Sequence, residues 1–81
     1  MDASQIAGNV YARWRKLRAA YVDIDKNRRG TVNARVFVKV MARVGVGRPD
    51  DIRSATSKWL ALKGGVPYND FIRSIISQFS S

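Results

Sequence analysis

Asp25-Lys26-Asn27-Arg28-Arg29-Gly30-Thr31-Val32, continued by Asn33-Ala34-Arg35-Val36-Phe37, reads as the punctuation between two helices. Gly30 supplies the backbone freedom of a sharp turn. Asp25 can take the turn's backbone N–H groups on its carboxylate, and Asn33 is placed to cap a helix that follows. Val32 is the apolar residue between the glycine and the cap, and Phe37 starts the core face of the exiting helix.

Upstream, Ile6, Val10, Trp14, Leu17, Tyr21 and Ile24 recur at spacings of three and four, which predicts a helix from an N-cap at Ser4 to about Ile24. Downstream, Val36, Phe37, Val40, Met41 and Val44 make the apolar face of a second helix, ended by Gly45 and Gly47. Arg48-Pro49-Asp50-Asp51 opens a third, with proline in the first turn and two aspartates at the positive end of the helix dipole. Its inner face is Ile52, Ala55, Trp59 and Leu62. A fourth helix follows Val66-Pro67-Tyr68 and buries Phe71, Ile72, Ile75, Ile76 and Phe79, repeating the spacing of the second. Tyr11, Tyr21 and Tyr68 occupy positions that read as buried, whereas Val38 and Val46 fall off the apolar stripes and read as exposed.

The loop itself recurs. Gly64-Gly65-Val66-Pro67-Tyr68-Asn69-Asp70-Phe71 matches Gly30 to Phe37 in the pattern G-x-V-x-x-x-x-F. With four helices around them, the two loops resemble a pair of EF-hands, a likeness that runs from about Gln5 to Phe79. It implies an all-α fold in one domain over residues 1–81, with hand one at about 5–45, hand two at about 49–79, and a minimal β-bridge between Val32 and Val66. The chain is most similar to the degenerate modules of multi-repeat cytoskeletal or ciliary EF-hand proteins, and to one lobe of a calmodulin-like or myosin-light-chain-like protein. Val66 to Phe71 is close to the V-N-Y-x-E-F ending of such modules.

Calcium chemistry is where the chain departs from that family. An EF-hand loop offers oxygen at six positions and closes with a bidentate glutamate. With Gly30 on the glycine position, Asp25 and Asn27 stand at the first and third positions, but Arg29 takes the fifth and Val36 the last. A register starting at Asp23 would put Arg28 on the glycine position and is rejected. In the second loop Trp59, Ala61 and Lys63 fall where ligands should be, and Asp70 is a shorter substitute for a glutamate the chain lacks entirely. The first loop, marked by Asp25, Asn27, Arg29, Gly30 and Val36, is therefore read as vestigial, with no metal and no cofactor expected. An Arg29 guanidinium in reach of Asp25 or Asn27 would put positive charge where the ion is missing.

Composition narrows the function. The chain has 81 residues, 46% of them hydrophobic, enough for one small core and too apolar for disorder. With no cysteine and no histidine it has no disulfide, no thiolate chemistry, no ordinary zinc site and no imidazole base. Its six acids, all aspartate, come without the rest of a catalytic site, so no enzyme is expected. No apolar run approaches the roughly 20 residues of a membrane span, and Met1 to Gln5 does not resemble a signal peptide. A cytoplasmic protein, with cytoskeletal association as the family suggests, is the expectation.

Net charge is +9, which attracts anionic partners. Arg35, Lys39 and Arg43 stack at spacings of four, and Arg13, Arg15 and Lys16 cluster on the first helix, so these six are the basic candidates for a partner contact. Trp14, Val38, Val46 and Trp59 are the apolar candidates, although core packing also accounts for both tryptophans. The sequence thus reads as a non-catalytic adaptor that docks on an acidic protein surface or an amphipathic helix. The alternative is a basic nucleic-acid binder acting through phosphate contacts, for which no recognition motif is present.

Overall fold

Asp2, rather than Ser4, starts the first helix. Its carboxylate accepts from the Gln5 backbone N–H, and the Gln5 side chain accepts from the Asp2 N–H in return. This reciprocal pair satisfies two orphan donors at once, which Ser4, already inside the helix, cannot do. The computed structural model describes residues 2–80. It is all-α, with helices α1 (Ala3–Ile24), α2 (Ala34–Val44), α3 (Pro49–Ala55), α4 (Ser57–Leu60) and α5 (Tyr68–Phe79).

Asn33 caps α2 through its side chain, accepting from Val36 N–H at 2.8 Å. At the other end Gly45 turns left-handed with φ +94°, its N–H reaching the carbonyl of Ala42 while the Val46 N–H reaches that of Met41. That pairing folds the residue after the glycine back onto the helix. It explains why Val46, expected to be exposed, is fully buried.

Val38 is likewise buried, at 3% exposure, because α2 packs on both α1 and α3. A helix touched from two sides must bury more than one stripe.

The expected third helix is broken in two. Thr56 leaves helical geometry at φ −115°, and its hydroxyl donates to the Ile52 carbonyl at 2.6 Å. Such back-bonding bends helices. The chain restarts as α4 and turns Trp59 edge-on to Phe71, with ring centroids 5.4 Å apart. Leu62, expected on the inner face, lies beyond α4 and is exposed.

One apolar cluster unites both halves. Its centre is aromatic: Tyr21 stacks on Phe37 at 5.5 Å and tilts against Tyr68 at 5.4 Å, and Phe37 meets Phe71 edge-on at 5.0 Å. The Tyr21 hydroxyl donates to the Phe37 carbonyl at 2.7 Å, so this buried polar atom costs little. Ile24 and Phe79, expected in the core, sit at helix ends and stay partly exposed. Tyr11 also departs from expectation at 39% exposure, lying outside the core in a stack with Phe79 at 4.9 Å.

Between the halves, Val32 and Val66 form the antiparallel bridge expected of them, the β pairing found among the described residues. The Val32 N–H donates to the Val66 carbonyl at 3.1 Å and the Val66 N–H to the Val32 carbonyl at 2.7 Å. Pro67, one residue on, does not interrupt the exchange, because neither bond uses its missing N–H.

Candidate functional site: the paired loops and the basic faces

Asp25 ends α1 as its C-cap, and Gly30, at φ +78°, curls the following backbone around it. Its Oδ1 accepts from the Arg29 N–H at 3.0 Å, and its Oδ2 from the Gly30 N–H at 2.8 Å. A third donor comes from the other half of the chain: the Tyr68 hydroxyl reaches Oδ2 at 2.8 Å. The residue is buried, and its two oxygens accept three hydrogen bonds between them.

These donors set its chemistry. The Tyr68 hydrogen bond lowers the Asp25 pKa most; burial opposes it, and the two backbone N–H groups and then the Arg29 charge lower it further. Tyr68 shifts the opposite way, raised first by burial and then by its bond to Asp25. The Arg29 guanidinium acts on Asp25 only through space and as the smallest influence, so it does not stand in for an ion as the sequence suggested. Two backbone amides and the hydroxyl of Tyr68, the first residue of α5, are what meet the carboxylate.

Asp25, Asn27, Arg29 and Val36 do share one hollow, of about 400 Å³, lined by the first loop. Gly30 holds the turn beside it. Among the described residues no three acid, histidine or cysteine side chains gather in a group that could hold a metal. In the second loop Trp59 belongs to α4, before the loop begins, and Asp70 is exposed in the first turn of α5. The ligand positions that spacing suggested there are spread along helix and turn.

The basic candidates separate into two groups. Arg35, Lys39 and Arg43 lie exposed along α2, and Lys16 is exposed on α1. Arg13 is half-buried, with its Nε 3.8 Å from where a Cβ on Gly45 would lie, so it sits at the negative end of the α2 dipole. Arg15 covers the Trp14 ring, its guanidinium carbon 5.0 Å from the centroid. The ion pair among the described residues is the exposed Arg53–Asp50 contact at 3.0 Å, which leaves these cations without an acidic partner in the fold.

Of the apolar candidates, Val38 and Val46 are core residues and offer no contact surface. Trp14 and Trp59 are half-buried and pack partly against the core. Two tethers escaped the sequence reading because both link residues far apart in the chain: Arg18 Nε donates to Asn69 Oδ1 at 3.2 Å, and Asn9 Nδ2 to the Val46 carbonyl at 2.9 Å. Among the described residues no helix is long and apolar enough to cross a membrane. Compared with protein families, curated proteins and solved structures, the chain matches none.

Proposed function

We propose that the chain is a calcium-independent EF-hand pair that serves as a non-catalytic protein-interaction module, docking on an acidic partner surface. The observation that carries this reading is the engagement of Asp25 by three internal donors. A calcium ion would need those oxygens, and with Arg29 and Val36 at two other ligand positions it would find few replacements. The loop holds its shape through protein groups alone, so the module is constitutive, and any regulation acts on the partner or elsewhere in the assembly.

The partner's sign follows from +9 net charge and from exposed cations that lack acidic neighbours. Acidic cytoskeletal surfaces fit this description. Binding to nucleic acid through phosphates is the second reading. Against it, aromatic rings at the surface already have partners on one face: Arg15 lies over Trp14, and Tyr11 stacks on Phe79.

Calorimetric titration with calcium tests the loop: no saturable heat is expected up to about 1 mM, the weak end of EF-hand affinities. Saturable binding below that level, with a matching change in tryptophan emission, overturns the reading. In parallel, the chain should retain an acidic protein ligand at a salt concentration that releases duplex DNA; the reverse order favours the phosphate reading.

A further inference from the structure

Two hollows lie on either side of the Arg18–Asn69 hydrogen bond, and both are lined by those two residues. One, of about 220 Å³, is bounded by Trp14, Ile72, Arg73 and Ile76 where α1 meets α5. The other, of about 340 Å³, extends toward the first loop past Val22, Arg28 and Tyr68. Together they form a mostly polar trough whose small apolar floor is Trp14 and Ile76, with three exposed guanidinium groups, Arg18, Arg28 and Arg73, along it.

None of the three arginines has a carboxylate partner among the described residues. Asp25 is the one acid lining the trough, and its oxygens are committed to Tyr68 and the loop amides. Three guanidinium groups against this one carboxylate leave the lining with a net positive charge. Arg18 and Arg28 are close enough to Tyr68 to oppose the larger upward push of burial and Asp25 on its phenol, so their fields converge inside the trough.

The floor selects between anions. Ile76, half-buried, can cover an aliphatic side chain but gives a nucleobase no ring to stack on, and one face of Trp14 is already taken by Arg15.

We propose that this α1/α5 trough is the docking site for an acidic protein segment with aliphatic side chains between its carboxylates, the aliphatic groups lying on Trp14 and Ile76 and the carboxylates meeting Arg18, Arg28 and Arg73. This rests on the reading that the chain binds an acidic partner. It moves the contact away from the Arg35, Lys39, Arg43 row that spacing favoured. Guanidinium groups suit the role because each can grip a carboxylate with two parallel hydrogen bonds.

The test uses the full chain and a fluorescein-labelled peptide of glutamates with leucine at every fourth position, followed by anisotropy. The Arg18→Gln/Arg73→Gln pair is expected to weaken binding about tenfold or more, and the Arg35→Gln/Lys39→Gln/Arg43→Gln triple less than about threefold. Attraction by overall charge alone predicts the opposite order, because the triple removes more charge; that order overturns the trough while leaving an acidic partner standing. A leucine-free glutamate peptide binding equally well overturns the apolar floor.

A second measurement needs no variant. Peptide added to the unsubstituted chain should shift the Trp14 indole N–H resonance, and binding that leaves it unmoved overturns the site. No peptide binding up to about 1 mM, weaker than any affinity worth about 4 kcal/mol, or displacement of the peptide by a single-stranded oligonucleotide, overturns the acidic-partner reading itself.

Discussion

Gly64 and Gly65 both hold left-handed backbone, at φ +86° and +105°, yet a methyl group added to each meets different surroundings. At Gly64 a Cβ would find no heavy atom within 4 Å. Gly64→Ala should therefore cost only the backbone strain of an L-residue at positive φ, about 1–2 kcal/mol. At Gly65 the same Cβ would lie 3.1 Å from Thr31 Cβ and 3.2 Å from the Val32 carbonyl oxygen. The Thr31 Cβ cannot rotate away, and the carbonyl is held by the 2.7 Å bond from Val66 N–H. Relief requires the loops to part, so Gly65→Ala adds the loss of a bridge hydrogen bond to the strain, for a total of about 2–4 kcal/mol. In a domain of this size the second variant should melt roughly 5–15 °C below the first, as followed by helical circular dichroism. Amide exchange at Val32 and Val66 should accelerate in Gly65→Ala and stay near the parent rate in Gly64→Ala. Melting temperatures within about 2 °C of each other, less than about 0.5 kcal/mol, would refute the claim that the bridge fixes the spacing of the loops.

The Asp25 carboxylate, held by its donors, and the buried phenols of Tyr21 and Tyr68 give the stability two pH limits. Asp25 has a folded pKa below its ordinary 3.8, so its contribution is complete above that value and is lost as pH falls through the lower folded one; Tyr68→Phe should flatten that acid limb in melting curves. Tyr21 and Tyr68 are raised above 10.0, so their contribution is complete below that pH and fades as the solution becomes more alkaline; phenolate absorbance should show both ionising only as the chain unfolds. Val46→Ala should cost roughly 2–3 kcal/mol in urea unfolding, from two lost methyl groups and the space they leave; a change below about 0.5 kcal/mol would restore Val46 to the surface. The Arg35→Gln/Lys39→Gln/Arg43→Gln triple should melt slightly higher than the parent, since each like-charge contact at a spacing of four costs a few tenths of a kcal/mol.

Local chemistry was legible in the chain itself. Apolar periodicity located the long helices, Asn33 and Gly45 marked the ends of α2, and the resemblance of the two loops to paired EF-hands implied the Val32–Val66 bridge. Each of these depends on residues within a turn or two of one another, or on a repeated pattern. The tertiary structure decided what local rules leave open. It buried Val38 by packing α2 from two sides, folded Val46 under the end of α2, and broke the third helix at Thr56. Above all, it brought the Tyr68 hydroxyl to Asp25 from 43 residues away. Sequence spacing marked Asp25 as the residue that gathers the first loop's amides, but only folding could supply its third donor, because a hydrogen bond is made by proximity in space and spacing along the chain does not encode it.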